Sequence, residues 1–394
     1  MINKKYEGLG KNSSCIRELF EYGKKRKAEI GEENVYDFSL GNPSVAAPKL
    51  VNDVMSDLIN NSDPVMLHGY TSAVGDLSVR QAIAEHITKN SKVFSDPNLI
   101  YMTCGAAASL TISLCAITNP GDEVVVFAPF FPEYSVFIKN ADAIPVICKC
   151  KAPDFKLNFN ELANCVNEKT SAIIINSPNN PTGSVISEEE IVELANFLKV
   201  KAKEYNHPIY LISDEPYREL VYGDVTVPYP AYYYDNTITC YSFSKSLSLP
   251  GERIGYIEVC SKAECAKDVF AAICGAGRSL GFVCAPSLLQ RTVGKCLGLT
   301  SDVSVYERNK NTLSTALKEI GYEVVEPKGA FYLFVKALCE DANAFSETAK
   351  KFDLLLVPSD SFGVEGYVRI SYCVSEDTVK NSISAFKKLF DCYK

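Results

Sequence analysis

Short apolar runs alternate with helical patterns through the middle of the chain, and this alternation limits the fold more than any other feature. The runs are rich in Val, Ile and Tyr, and several show no alternation with polar residues. Strands of that kind are typical of a sheet that is buried on both faces. Strand, helix and strand in this order predict a largely parallel sheet covered by helices. The predicted strands are residues 123–128, 143–150, 172–177, 208–213, 237–243 and 253–260.

One connecting helix has a clear start. Ser187 stands directly before a helical pattern and Glu190 follows three residues later, which is the spacing of a capping box. Ile191, Leu194 and Leu198 then follow the helical period. The sequence therefore predicts a helix here that packs one apolar face on the sheet.

The pattern changes after about residue 290 and indicates a second, smaller α+β unit. A long helical stretch leads into EVVEPKGAFYLFVKA, which is typical of an antiparallel hairpin, and Ser375 can cap a last helix. We expect a large α/β domain over 49–288 and a small domain over 289–394. We expect the N-terminal segment 1–48 to join the small domain.

Composition excludes several classes of partner. The net charge of −8 disfavours nucleic acid and anionic membranes, and no apolar stretch reaches the ~20 residues that cross a bilayer. The first residues lack the apolar core of a secretory signal. Fifteen cysteines accompany only three histidines, with no Cys-x-x-Cys pair. We therefore expect no metal site, and reduced thiols in a cytoplasmic protein.

Chemistry-bearing residues follow the predicted strands, at the edge where open α/β sheets bind ligands. Asp214 ends one strand and could pair with a buried cation, while Tyr217 could present its phenol to the same space. The turn INSPNNPTG (175–183) could aim an asparagine amide at a ligand. Taken singly, each also has a structural explanation, as a helix cap or a rigid turn.

Two further segments also follow strands. MTCGAAASL (102–110) opens a helix with small residues, which suits an approaching anion and equally suits close packing of helix on sheet. It matches neither the Walker loop nor G-x-G-x-x-G. FAPFFPEY (127–134) holds aromatic rings between prolines, an arrangement that suits stacking on a flat heterocycle or simple core packing.

The segment YSFSKSLSLPGERIGY (241–256) places Lys245 between serines, with Arg253 eight residues later. A lysine that forms a Schiff base must lose its proton, and nearby cations and a low dielectric favour that loss. Ser242, Ser244 and Arg253 could bind a phosphate. A merely polar or phosphorylatable loop explains the segment alone equally well.

Together these segments supply contacts for every part of pyridoxal phosphate: phosphate, ring face, ring nitrogen, phenolic oxygen and aldehyde carbon. With these segments the sequence resembles the class I and II aminotransferases. These are pyridoxal-phosphate enzymes with the aspartate aminotransferase fold, which is also called fold type I. The likeness covers nearly the whole chain. Its most specific motifs are NNPTG, DEPY, and SFSK with GERIG.

The resemblance implies a role for each motif residue. Lys245 would form the Schiff base with the cofactor and move the proton, and Asp214 would keep the pyridine nitrogen protonated. Asn180 and Tyr217 would hold the phenolic oxygen, with Tyr217 counted among the catalytic residues, and Phe131 would stack on the ring. The implied phosphate ligands are Gly105, Ala106, Ala107, Ser242, Ser244, Arg253 and, from the partner subunit, Tyr70. The implied substrate-binding residues are Gly41, Asn180 and Arg369.

The resemblance also implies a homodimer with the active site at the subunit interface, and a place in amino acid metabolism. The enzyme would move an amino group from an L-amino acid to a 2-oxo acid by a ping-pong mechanism. Ala107 stands where some aspartate-preferring members carry a lysine, so neutral or aromatic donors are as well supported as aspartate. A C–S lyase working by β-elimination on the same fold is the alternative. A transcription-factor sensor domain is disfavoured, because no basic recognition helix precedes the large domain.

Overall fold

The computed structural model describes residues 2–11 and 14–394. Its helices are α1 (Lys4–Lys11), α2 (Cys15–Ile30), α3 (Lys49–Asn61), α4 (Pro64–His68), α5 (Leu77–Ser91), α6 (Ala106–Ile117), α7 (Glu133–Asn140), α8 (Phe159–Cys165), α9 (Glu188–Tyr205), α10 (Phe243–Ser246), α11 (Ala266–Leu280), α12 (Ser287–Gly294), α13 (Val303–Ile320), α14 (Ala342–Lys350) and α15 (Glu376–Asp391). Its strands are β1 (Tyr36–Asp37), β2 (Ile100–Thr103), β3 (Glu123–Ala128), β4 (Ile144–Lys149), β5 (Thr170–Asn176), β6 (Tyr210–Asp214), β7 (Thr237–Ser242), β8 (Gly255–Val259), β9 (Val324–Val325), β10 (Tyr332–Lys336), β11 (Leu354–Leu355), β12 (Val357–Pro358) and β13 (Tyr367–Ser371).

The large sheet has seven strands in the described chain, in the order β2-β8-β7-β6-β5-β3-β4. The pairs from β4 to β7 are parallel, whereas β8 runs antiparallel to both β7 and β2. Every residue of β5 and of β7 is buried, which explains why these runs show no polar alternation. The sheet is therefore mixed and mostly parallel, as predicted.

Helices cover both faces of this sheet. Ile174 of β5 packs in a core with residues of α6, α7 and α11, whereas Ile173 and Ile175 pack with residues of α8 and α9. At the start of α9 both hydrogen bonds of the predicted capping box form between Ser187 and Glu190. Successive side chains of one strand thus supply two separate cores.

A second sheet has the order β12-β13-β10-β9 and is antiparallel throughout. The predicted hairpin is β9 with β10, and Ser375 caps α15 by accepting a hydrogen bond from the Thr378 amide. Strand β1 pairs in parallel with β11, which ties the N-terminal segment to this unit. The domain limits 1–48, 49–288 and 289–394 stay predictions, and the first range includes positions outside the described residues.

The carboxyl ends of β5, β6 and β7 lie side by side in the large sheet. Asn176 is in register with Asp214, and Asp214 with Cys240, two residues before Ser242. This edge is the ligand-binding edge of an open α/β sheet. Among the described helices, none is long and apolar enough to cross a membrane. The described residues, in helices or elsewhere, contain no cluster of three or more His, Cys, Asp or Glu that could hold a metal.

Candidate active site

A cavity of about 270 Å³ lies at the carboxyl ends of these strands. We call it the cofactor cavity. It is lined by residues of the N-terminal segment, by residues at the ends of strands of the large sheet, and by Tyr332 and Arg369 of the small sheet. It therefore lies where the two sheet units meet. The predicted site residues that line it are Gly41, Ala106, Ala107, Phe131, Asn180, Asp214, Tyr217, Ser242, Ser244, Lys245, Arg253 and Arg369.

Lys245 lies on α10, a short helix that Ser242 caps directly after β7. Its Nζ donates a hydrogen bond to the Gly41 carbonyl oxygen at 2.6 Å. Burial, reinforced by the positive charges of Arg253 and Arg369, lowers the pKa of this amine to about 8. Lys245 can therefore lose its proton at a pH close to neutrality.

Asp214 ends β6 and is only 4% exposed. The Tyr134 hydroxyl donates a hydrogen bond to Oδ2, while Oδ1 has no hydrogen-bond partner within the described residues. Burial raises the pKa of Asp214 to about 7, with Glu215 adding to the rise and the bond from Tyr134 opposing it. A buried carboxylate with a free oxygen is stabilised by a cationic donor, so the site fits a protonated ring nitrogen.

Arg253 reaches the start of α6 through the space left by a glycine. Gly105 has φ +89°, and a Cβ there would lie 2.7 Å from Nη2 of Arg253. Nη1 of Arg253 donates to Ser244 Oγ at 3.2 Å, and Ser242 Oγ accepts from the Ser244 amide at 3.2 Å. A guanidinium, two hydroxyls and a helix N-terminus thus converge, which fits a phosphate group.

Arg369 lies on β13 and is 2% exposed, which excludes a surface ion pair. Nη1 donates to Asn180 Oδ1 at 3.1 Å and Nη2 to the Ser39 carbonyl at 2.5 Å, while Nε has no partner in the described part of the chain. The guanidinium lies over the Tyr332 ring at 4.7 Å. A buried cation held only by neutral groups favours an anionic ligand such as a carboxylate.

Two aromatic side chains that sequence reasoning missed hold the predicted residues in place. Tyr332 Oη lies 2.9 Å from Tyr217 Oη, and Tyr134 both bonds Asp214 and contacts the Phe131 ring edge-on at 5.7 Å. Burial raises the pKa of Tyr217 well above its usual value, so its phenol stays protonated. Tyr134 falls in the FAPFFPEY segment with Phe131, but no sequence signal pairs it with Asp214, which lies 80 positions away.

Two predicted cofactor residues do not line the cavity of their own chain. Gly105 lies behind Arg253, where it makes room for that side chain. Tyr70 is 98% exposed, so the structure does not bring it to this cavity. Its predicted contact with the phosphate of a partner subunit stays a prediction.

A sequence profile described as "Aminotransferase class I and II" matches residues 33–386. The chain belongs to this aminotransferase family. The family is pyridoxal-phosphate-dependent, and the protein is a transferase of the EC 2.6.1 type with the predicted type I fold. The orphaned Asp214 oxygen and the anion site around Arg253 fit that cofactor.

Relatives of this aminotransferase cover almost its whole length. The "probable aspartate/prephenate aminotransferase" of Aquifex aeolicus is 32% identical over 91% of each chain. The "aromatic-amino-acid aminotransferase 2" of Thermococcus litoralis is 28% identical over 96% of each. A solved amino transferase from Eubacterium rectale is 50% identical, with a TM-score of 0.98 over 100% of this chain and 99% of that one. These names support amino transfer and do not favour the alternative C–S lyase.

Proposed function

We propose that this aminotransferase moves the amino group of a neutral or aromatic L-amino acid to a 2-oxo acid by a ping-pong mechanism, as a cytoplasmic homodimer. One observation carries the site assignment. A lysine with a pKa of about 8 and a buried carboxylate with a free oxygen line the same cavity. A low-pKa amine and a partly bonded acid in one cleft are typical of a catalytic centre.

Each part of the cavity has its own task in this proposal. Pyridoxal phosphate, when bound, supplies an aldehyde that takes up amines and a ring that withdraws electrons from the substrate α-carbon. Arg369 orients the substrate carboxylate. The residues that would hold the cofactor are Ala106, Ala107, Phe131, Asn180, Asp214, Tyr217, Ser242, Ser244, Lys245 and Arg253, while Gly105 would leave room for the Arg253 side chain.

Lys245 is the base in the proposal. With a pKa of about 8, on the order of one tenth of the amines are neutral at pH 7 and can accept a proton. The bond from Nζ to the Gly41 carbonyl fixes the amine beside the substrate carboxylate site, because Gly41 and Arg369 line the same wall. Lys245 can therefore take a proton from the substrate α-carbon and return it.

The test compares purified wild-type protein with Lys245→Ala and with Lys262→Ala, an exposed lysine, as the matched control. The visible absorbance reports bound pyridoxal phosphate, and amino acids are added one at a time without any 2-oxo acid. We expect wild type and Lys262→Ala to lose the visible band with good donors and to release a 2-oxo acid, and Lys245→Ala to keep a visible band and to release none. Release of pyruvate from a cysteine conjugate with no colour change would support the lyase instead. A Lys245→Ala variant as active as wild type would overturn the assignment.

The side-chain preference rests on what surrounds Lys245. Ile16, Leu40, Leu110 and Phe131 line the cavity, and Ala107 brings no charge. Within the described residues the lining cations are Lys245, Arg253 and Arg369, each with a task already in this proposal. Among the described residues no further cation lines the cavity to pair with a side-chain carboxylate, which favours neutral and aromatic donors.

The proposed dimer is supported by exposed residues around α4. Tyr70 (98% exposed), Val65 (79%) and Met66 (69%) lie together at and just after α4. An exposed apolar patch of this kind is typical of an interface, and pairing there would allow Tyr70 to reach a partner's cofactor. Sedimentation of wild type and Met66→Asp tests this, with loss of the dimer expected for the variant.

The cytoplasmic location proposed for the protein is supported by its cysteines. All fifteen cysteines are unpaired, which supports a reducing compartment.

A further inference from the structure

A second and larger cavity lies on the other side of the segments that carry the catalytic residues. Its volume is about 830 Å³, and it shares no lining residue with the cofactor cavity. Glu215, Arg218 and Glu219 line its inner part, and Tyr229 and Tyr241 are among its aromatic walls. We call it the rear cleft. Its size falls within the ~300–1,000 Å³ of small-molecule sites, and tyrosine and phenylalanine rings form part of its walls, as is common in such sites.

Arg218 presents an unused donor in the rear cleft. Its Nε donates to Glu215 Oε2 at 2.5 Å, and Ser213 Oγ donates to the other oxygen of Glu215 at 2.7 Å. The guanidinium lies over the Tyr229 ring at 4.9 Å. Its Nη2 is buried and has no partner within the part of the chain that the structure describes. Glu215 is thus fully bonded, while Arg218 keeps one donor free for an acceptor.

Glu219 presents the complementary unused acceptor. Its Oε1 accepts a hydrogen bond from the Tyr241 hydroxyl at 2.9 Å, but its buried Oε2 has no partner among the described residues. Burial raises the pKa of this carboxyl, opposed by the Tyr241 hydroxyl and the charge of Arg218. A buried acceptor without a donor is costly, and a ligand that supplies the donor recovers that energy.

The charges of the rear cleft limit the ligand. The carboxylates of Glu215, Glu219 and the neighbouring Glu258 interact with the charge of Arg218, and Lys92 and Lys328 also line the cleft. Beside Arg218 a simple anion would meet net negative charge, and a simple cation would leave the Arg218 donor unpaired. A zwitterion satisfies both free atoms and adds no net charge. Tyr229 and Tyr241 both line the cleft, and such rings favour a ligand with an aromatic body.

We propose that the rear cleft is a second binding site, for an aromatic α-amino acid whose carboxylate pairs with Arg218 and whose ammonium pairs with Glu219. This site goes beyond the proposed amino transfer and does not depend on it. The two cavities are nevertheless neighbours along the chain. Glu215 follows Asp214 directly, and Ser246, which lines the rear cleft, follows Lys245.

The test separates the two sites with α-methyl-L-phenylalanine, which has no α-hydrogen and so cannot be used as an amino donor. Calorimetric titration of the holoenzyme counts all binding, while the visible absorbance of the cofactor reports the active site alone. We expect a binding step that leaves the absorbance unchanged. Arg218→Met and Glu219→Gln should each weaken that step by about tenfold or more, the loss typical of one charged hydrogen bond.

Glu189→Gln is the matched control, because Glu189 is an exposed acid at the rim of the same cleft and should leave the step unchanged. Thermal unfolding checks that each variant is folded. If Arg218→Met does not fold, Glu219→Gln decides alone, since it keeps the shape of the side chain. A titration in which all binding follows the cofactor absorbance would overturn the proposal. So would a spectrally silent step that survives in both variants.

Discussion

The cofactor cavity and the rear cleft lie on opposite sides of the same short segments, yet the charged residues around their innermost arginines differ. Three cations, Lys245, Arg253 and Arg369, line the cofactor cavity around one carboxylate. The inner part of the rear cleft instead holds Arg218 among several carboxylates. One side is suited to the phosphate and carboxylate of a cofactor and its substrate, and the other to a zwitterion.

The adjacent acids Asp214 and Glu215 show the contrast most sharply. Asp214 keeps one oxygen without a partner in the described structure, and burial raises its pKa to about 7. Glu215 has both oxygens bonded, to Ser213 and to Arg218. Two neighbouring carboxylates therefore differ in role because they face different cavities. A buried carboxylate oxygen without a hydrogen-bond partner is available to a ligand, whereas a carboxylate with both oxygens bonded to the protein stabilises the fold.

The largest expected effect tests these two acids directly. Asp214→Asn keeps the shape of the side chain but removes the charge that pairs with the cofactor ring, so we expect kcat/KM to fall by about 10²–10³. Glu215→Gln on the other side should change kcat/KM only a few-fold and should instead lower the unfolding temperature. Steady-state kinetics with a good donor and thermal melts measure both. Equal losses of activity in the two variants would contradict the separation.

The pH dependence of the unfolding free energy tests the protonation of Asp214 in cofactor-free protein. The folded state holds the Asp214 proton up to about pH 7, whereas an unfolded aspartate loses it near ~3.9. The stabilisation is full below the lower pKa and is lost as pH rises to the upper one. The free energy of unfolding of wild type should therefore fall by about 1.4 kcal/mol per pH unit across that window, relative to Asp214→Asn.

Urea unfolding of both proteins between pH 4 and 8 measures this difference. Glu219 of the rear cleft and the neighbouring Glu258 are present in both proteins, so their titration cancels in the comparison. Lys245 titrates above the window and also cancels. A difference that stays constant with pH would show that Asp214 is ionised in the folded chain throughout, contrary to its burial.

Arg369, which is buried, and Arg218, which is half-buried, each line one of the two cavities and give the next comparison. Arg369→Lys removes the planar pair of donors that suits a carboxylate, so KM for the amino donor should rise by about 10–100-fold. Arg218→Lys should leave that KM within about twofold, because Arg218 does not line the cofactor cavity. Initial rates over a range of donor concentrations decide. An unchanged KM in Arg369→Lys would place the substrate carboxylate elsewhere.

Much of the fold and of the cofactor cavity was predictable because local signals carry them. The strands lack polar alternation since both faces are buried, and NNPTG, DEPY and SFSK follow strands that end at one edge. Long-range contacts were not predictable. Tyr134 reaches Asp214 across 80 positions and Tyr332 reaches Tyr217 across 115, and no periodicity encodes such pairs. The antiparallel direction of β8 and the existence of the rear cleft were not predictable either, because both depend on tertiary packing.

The smallest expected effect concerns the substrate side chain. Ala107 lines the cofactor cavity in the first turn of α6 and is exposed to it, so Ala107→Lys adds a cation where this chain has none. We expect the ratio of kcat/KM for aspartate to that for phenylalanine to rise by about tenfold, the value of one charged hydrogen bond to the side-chain carboxylate. Ala271→Lys, on the exposed side of α11, adds the same charge away from the cavity and should leave the ratio unchanged. A ratio that already favours aspartate in wild type would mean that the cation comes from a partner subunit, and the preference for neutral and aromatic donors would then be wrong.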